Sequence, residues 1–496
     1  MTAQNGRSVT FGISGNNVAP LRLAWKLDAA LFAGLVLSVA GLVTSPLAAA
    51  EPVIQSGSVN VRLAAVVEQK QLNDAVVPEA IDRLGAHAGS LKAVRLGGLS
   101  DLWRSHADPA GEFWTLTDRG PNGTVVTPDG KRRTLLEPDF VPVLVHLRLQ
   151  GGFDHSRRAD DSGGVQIQAT EVLPLVMASG RPASGRENDT GSGGPLLNAA
   201  DAVALENDSN GFDSEGLVRL SSGRFWLSEE YQPSLVEVSG DGQVIARFIP
   251  LGQHLPGAGC DIFDVLPAEY AFRKDNRGFE SMAVSPDELT LWAAMQSPLD
   301  YPFKDAGRKT GNVRVLQFNP VARRPTAEFL YRLGSPKSQD FLSKGNPPGD
   351  GKISAMVAIG AATLLVLEQM DGGASIYEVS LEQATNTLER TMPAGESLEM
   401  IRDLSAAAIR PAGKRLLADL SPHHPRMVED VFREYGGGGK GRSIKLEGMA
   451  LIDSQHVAIL NDEDFGVDSG SETGELKASP RSCLWVVKLP AALAFE

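Results

Sequence analysis

GFDSEGLVRLSSGRFWLSEEYQPSLVEVSGDGQVIARFI, residues 211–249, decides the fold. Apolar positions alternate through 215–220, Ser221-Ser222-Gly223 makes a tight turn, and 224–228 is aromatic and β-prone. Alternation resumes at 235–238, and Gly240-Asp241-Gly242 turns into a last apolar strand at 244–249. Four short strands joined by tight turns predict an antiparallel meander. A single meander cannot bury both of its faces, so neighbours of the same kind are expected.

The signature recurs four times. Leu99-Ser100-Asp101-Leu102 precedes the aromatic run Phe113-Trp114-Thr115-Leu116, and Phe279-Glu280-Ser281-Met282 precedes Leu291-Trp292-Ala293-Ala294. Ile353-Ser354-Ala355-Met356 precedes Leu365-Val366-Leu367, and Leu446-Glu447-Gly448-Met449 precedes Ile459-Leu460. Each unit opens with an acid or serine, then a small or polar residue, then Leu or Met. Five such hairpins, with 52 Gly and 30 Pro spread along the chain, predict an all-β fold of the β-propeller type. Counting the remaining strands near both ends favours six blades and admits five to seven. Strands within 53–67 and 483–489 are expected to share one blade and close the ring. The reading is one propeller domain over 51–496, with a Gly/Ser-rich surface insertion at 178–211. A second insertion, 396–440, carries one or two helices and a Gly-rich loop, because its apolar positions Ile401, Leu404, Leu416, Leu417, Val428 and Val431 sit among Ala and charged residues.

The register of the repeat places chemistry. Glu215 to Glu230, Ser354 to Gln369 and Glu447 to Asp462 are each 15 residues apart, Glu280 to Gln296 is 16 and Ser100 to Asp118 is 18. The first residue of each pair opens an inner strand and the second closes its antiparallel neighbour, so all five pairs are expected at one face around the central channel. Glu215, Glu230, Glu280, Glu447, Asp462 and Asp118 then make a ring of carboxylates, with Asp213, Glu229, Glu368 and Asp464 nearby. Crowded like charges are unfavourable unless cations intervene, and hard oxygen donors suit Ca2+, with Mg2+ as the alternative. Arg119, Arg277 and Lys445 fall beside these acids and suit an anionic group. The competing reading is that individual acids only tie neighbouring blades together.

Residues 1–50 read as an export signal: Arg22 and Lys26 precede an apolar run at 29–43 that ends in Ala48-Ala49-Ala50. The run is shorter than the roughly 20 apolar residues of a membrane span, so a periplasmic or secreted location is expected, with no stable membrane insertion after cleavage. Removing residues 1–50, which carry Arg7, Arg22, Lys26 and Asp28, takes the net charge from −14 to −16. An acidic exported chain is a poor nucleic-acid binder and either repels phosphorylated substrates or binds them through divalent cations. Cys260 and Cys483 are free to pair in an oxidising compartment, with two small buried residues as the alternative.

Taken together, GFDSEGLVRL, RFWLSEEY, NRGFESMAVSPDELTLWAA, KLEGMALID and NDEDFG resemble the phytase-like, "esterase-like activity of phytase", family of exported bacterial proteins. The resemblance runs from about Leu96 to Leu489 and implies a propeller and phosphoric-ester hydrolysis. The expected function is metal-assisted attack of water on a small-molecule phosphate ester. Glu215, Glu230, Glu280, Glu447, Asp462 and Asp118 would hold the metal, Glu215 and Glu280 would serve catalysis, and Arg277, Lys445 and Arg119 would steady the phosphate. A monomer is expected. The alternative is a non-catalytic propeller binding an extracellular glycan, peptide or other ligand on the same face. A carboxylesterase ranks third, because no G-x-S-x-G elbow occurs. Gly436-Gly437-Gly438-Gly439-Lys440 lacks the Ser or Thr of a phosphate loop, and Asp462-x-Asp464 has Val467 where an EF-hand needs Gly.

Overall fold

Each sequence hairpin becomes the inner edge of an antiparallel sheet. The computed structural model describes residues 59–68, 94–128, 130–150, 166–188, 195–334, 347–370, 372–432, 443–467 and 481–495. In the second blade Ser214–Arg219, Phe225–Glu229, Ser234–Val238 and Gln243–Pro250 pair in chain order. The third blade is Phe279–Val284, Leu291–Met295, Asn312–Asn319 and Arg324–Arg332, and the fourth is Lys352–Ala358, Thr363–Met370, Gly373–Ser380 and Gly413–Asp419. In the first, bridges Leu99↔Thr117 and Trp103↔Trp114 set an inner segment against Glu112–Leu116, followed by Val143–Leu149 and Gln166–Pro174. The fifth runs Lys445–Leu451, His456–Asp462 and Cys483–Lys488, and Asn60–Val67 completes it.

The N-terminal strand therefore closes the ring as expected, and its parallel pairing with Gln166–Pro174 fuses the first and fifth blades into one seven-stranded sheet. The described residues hold five blades where six were favoured. The end strands behind that count share one blade: Asn60–Val67 is the outer strand of the fifth, beside Cys483–Lys488. Asp261–Leu266, which the sequence reading did not count, adds in parallel to the edge of the second. The 396–440 reading is corrected in part. Leu416 and Leu417 lie in the fourth strand of their blade, and within the described residues a single α-helix, His424–Phe432, follows it. Alternation in Gly413–Asp419 is blurred because only Ala418 of that strand is fully buried. The export signal, the Gly-rich loop and the segment preceding Asn60–Val67 lie outside the described residues. None of the described helices is long and apolar enough to cross a membrane.

Packing between blades explains the repeated motif. After the inner-strand acid or serine stand Gly216, Ser281, Ala355 and Gly448, where the next inner strand presses against the backbone. A Cβ on Gly216 would lie 2.8 Å from the Met282 nitrogen, and one on Gly448 would lie 2.8 Å from Leu102 Cβ and 2.9 Å from the Asp101 carbonyl carbon. In the first blade this position is Asp101, which instead bridges blades: its Oδ2 accepts the Leu217 N–H at 2.8 Å while Oδ1 accepts that of Leu102 at 2.7 Å. The tryptophans of the second strands fill the wedges further out. Trp226, 1% exposed, stacks on Phe248 at 5.4 Å and meets Phe318 of the third blade at 5.6 Å. Because Gly448 has backbone and a β-carbon rather than a flexible side-chain tip against it, Gly448→Val is expected to destabilise the protein by about 3 kcal/mol or more, read as a lower urea midpoint.

Cys260 and Cys483 form no disulfide with each other. Cys483 is buried in the core of the fifth blade, while Cys260 packs against the core shared by the first and second.

Candidate metal and anion site

A β-bulge marks the acid position in four consecutive inner strands. Pairing slips between Ser228 and Glu229 opposite Glu215, between Phe279 and Ser281 around Glu280, between Ile353 and Ala355 around Ser354, and between Leu446 and Gly448 around Glu447. In each the extra residue is the motif's first. A bulge leaves its extra residue outside the ladder and re-aims its side chain. The repeat thus turns Glu215, Glu280, Ser354 and Glu447 off the sheet at the same level of four neighbouring blades.

Glu215 and Glu447 line a cavity of about 310 Å³, together with Asp118, Glu230 and Asp462 from the far ends of the second strands. Arg119, Arg277 and Lys445 line it as well. Eight of the nine residues singled out in the sequence therefore line one cavity. The ninth, Glu280, is 2% exposed and is not part of the lining, but acts on Glu215 and Glu447. Their partners differ. Arg119 lies 2.9 Å from Asp213 Oδ2 and 3.5 Å from Glu230 Oε2, and it donates to Asn276 Oδ1 at 2.6 Å. Lys445 is held by Asp462 at 3.0 Å and by Asp464. Among the described residues Glu215 and Glu447 find no hydrogen-bond or ion-pair partner, and both oxygens of Glu280 lack a hydrogen-bond partner.

Burial without partners sets the protonation. It raises Glu215, with Asp213 and Glu280 adding to the effect, and it raises Glu447 against the pull of Lys445. Glu280 is pushed up to about 7 by burial and by Glu230, with Lys352 and Gln296 opposing. Asp118 is pushed up to about 8 by burial and by Asp462. Asp213 and Glu230 act as a pair. Burial raises Asp213, whereas Glu230, which burial alone would also raise, is held below the ordinary carboxylate range by Arg119 and by the hydrogen bond from Asp213. One proton shared by two carboxylates on a common arginine accounts for the split.

Two acids near the ring are ties instead. Glu229, fully buried, meets Arg247 at 3.1 Å and accepts the backbone N–H groups of Asp213 and Tyr231. Glu368 accepts from Tyr331 at 2.8 Å and pairs with Lys414. For them the competing reading holds.

Sequence reasoning placed Gln296 at this face, where it lines the cavity, and missed Lys352 and the roof. Lys352 lines the cavity and stands two residues before Ser354, just as Lys445 stands two before Glu447, so aligning the repeats would have found it. The roof is the hairpin Asn122–Thr127 and Gly130–Leu135, which leaves the first blade, contributes Asn122, Gly123, Thr124 and Arg133 to the cavity wall, and is extended in parallel by Leu197–Asn198. The 178–211 insertion is therefore part of the cap.

A hard divalent cation fits the donor set. Asp213, Glu215 and Glu230 each offer a carboxylate oxygen within 4.8 Å of the others, and Glu230 Oε1 has no hydrogen-bond partner. The donors are all oxygens, as Ca2+ or Mg2+ requires. Arg119 supplies part of the neutralisation that a cation would complete.

Among solved structures, a luciferin-regenerating enzyme aligns at 10% identity and TM-score 0.30, covering 81% of this chain and 96% of its own. The PQQ-bound aldose sugar dehydrogenase of Streptomyces coelicolor aligns at 9% identity and TM-score 0.30, with 87% and 99% covered. The propeller assignment rests on the sheet order itself. An "uncharacterized secreted protein" of Arthroderma benhamiae is 24% identical over 441 residues, covering 76% of this chain and 80% of the relative. The family model described as "Phytase-like: Esterase-like activity of phytase" matches residues 94–465, which span the roof, all five inner hairpins and every cavity-lining residue named above. The chain belongs to this phytase-like family.

Proposed function

We propose that the chain is an exported hydrolase of phosphate esters that works with a hard divalent cation, Ca2+ before Mg2+. Membership of the phytase-like family points to a hydrolase. The observation that carries the finer reading is the convergence of the bulge carboxylates Glu215 and Glu447 with Lys352 and Arg277 at one cavity, with the fully buried Glu280, whose oxygens lack a hydrogen-bond partner, close enough to raise both acids. Lys352 and Lys445 offset these carboxylates only in part, so the site suits a cation and an anion together. Glu215, Glu230 and Asp213 seat the cation, with Glu280 and Glu447 adding negative charge. When bound, the cation neutralises phosphate oxygens and makes water a better nucleophile.

The chain's own groups do the rest. Among the described residues Lys352 makes no ion pair, and the Arg277 side chain reaches only the Asp350 and Gly351 carbonyls at 3.5 and 3.4 Å, so both are available to phosphate oxygens. Arg119 and Lys445, already paired, hold the carboxylates in place and keep the field over the cavity balanced. Asp118, with its pKa at about 8, keeps its proton at neutral pH and delivers it to the departing alkoxide. Metal-stripped protein is expected to leave p-nitrophenyl phosphate intact and to turn it over once calcium is added, by roughly a hundredfold or more over the stripped sample. Equal turnover with and without calcium, or none in either, overturns this reading.

A further inference from the structure

We propose that Asn276 positions Arg119 for cation binding: it draws the guanidinium off Glu230 and so leaves that carboxylate open to the metal. That the ligand is a divalent cation rests on the function proposed above, whereas the hold on Arg119 rests on contacts within the chain. Arg119 is buried, and its Nη2 stands 2.9 Å from Asp213 Oδ2. Beside a carboxylate an arginine commonly closes into a bidentate fork, two parallel N–H···O bonds that occupy both oxygens. Toward Glu230 it stops short of this. Nη2 stays 3.5 Å from Glu230 Oε2, at the outer limit of a hydrogen bond, and Oε1 has no hydrogen-bond partner. Nη1 instead donates to Asn276 Oδ1 at 2.6 Å, which is shorter than either contact to the acids.

The chain fixes Asn276 where it can do this. Lys274–Arg277 is a β-turn closed by the Arg277 N–H on the Lys274 carbonyl at 3.0 Å, and Asn276 is its third residue, at φ 52°. Asn is among the few residues with a side chain that enter this left-handed region readily. Both ends of the turn are pinned to the backbone of Glu230 and Tyr231. Arg273 donates to the Tyr231 carbonyl, and Gly278 packs so closely that a Cβ there would lie 2.7 Å from the Glu230 α-carbon. The acceptor that competes for Arg119 is therefore held at a set place relative to the carboxylate it competes with. An amide suits the task because its oxygen accepts a hydrogen bond without carrying charge. It takes one arm of the guanidinium and adds nothing to the crowded acids.

Calorimetric titration of metal-stripped protein with calcium tests this. Asn276→Gly keeps the left-handed turn and removes the acceptor, so Arg119 should fork onto Glu230 and calcium should bind about tenfold or more less tightly. Its metal-free melting temperature should stay within about two degrees of the parent's, because one hydrogen bond of Arg119 is exchanged for another. Asn276→Asp keeps an acceptor in the same place and should bind calcium at least as tightly as the parent. In an Arg119→Lys background, where a single ammonium cannot fork, Asn276→Gly should cost less than about threefold. Equal affinity in Asn276→Gly and the parent, an equal loss in Asn276→Asp, or the full loss in the Arg119→Lys background overturns the proposal. So does a metal-free melting temperature lowered by several degrees in Asn276→Gly, which would make Asn276 a brace of the fold. A parent that binds no calcium overturns the cation site and this role together, whereas a parent that binds calcium and fails these comparisons loses only the role of Asn276.

Discussion

Glu280→Gln, stripped of metal, is expected to melt a few degrees higher than the unsubstituted protein at pH 8, and to have lost most of its calcium-dependent turnover. Glu280 is buried with both oxygens lacking a hydrogen-bond partner, and its pKa stands at about 7 against an ordinary value of 4.5. That displacement corresponds to about 3 kcal/mol of destabilisation once the carboxyl is ionised. Glutamine has nearly the same shape and no charge, so it removes the penalty without opening a cavity. The same change deletes one negative charge from beneath Glu215 and Glu230. Calcium should then raise the melting temperature less than it does in the parent, and turnover should fall by roughly a hundredfold. Stability and activity moving in opposite directions is what separates a functional carboxylate from a blade tie. Arg247→Gln is the counter-case: it strands the buried Glu229 and should only destabilise.

The contrast between Glu229 and Glu230 shows what the linear chain makes legible. Both are acids at the end of one second strand, and their spacing from Glu215 differs by a single residue. The repeat spacing identified Glu230 as facing the channel. What makes Glu229 a tie is Arg247, on the fourth strand of the same blade, whose side chain crosses the sheet to reach it. No local pattern announces that contact. The fold was legible for the opposite reason, since alternation and turns are local and the repeat copies them five times. The bulges were not: a slip of one residue leaves no mark in a strand's composition, yet it aims Glu215, Glu280 and Glu447. The roof was hidden because Asn122–Leu135 alternates polar and apolar residues weakly and gains its third strand from a segment some sixty positions onward, Leu197–Asn198.

In the metal-free protein, stability should be highest near pH 5 and fall as the pH is raised toward 8, and calcium should flatten that slope. The sign follows from the acids whose folded pKa is raised. Glu280, at about 7, and Asp118, at about 8, bind a proton in the folded chain through a range where the unfolded chain, at 4.5 and 3.8, has released it. Their contribution is intact below the unfolded values and is lost as pH rises through the folded ones. Glu215, Glu447 and Asp213, all raised by burial, steepen the fall. Glu230 runs the other way: its lowered pKa adds stability above 4.5 that is lost in acid, which keeps the optimum from moving below about pH 4. Under the proposed cation site, calcium would bind the ionised carboxylates of the folded state, so its stabilisation would grow with pH just where the metal-free protein weakens. Melting curves from pH 4.5 to 8.5, with and without a millimolar excess of calcium, should therefore diverge at the alkaline end and converge at the acidic end. Parallel curves would mean that the partnerless carboxylates hold no cation, and the acidic cavity would then have to be explained by an organic cation or by protons alone.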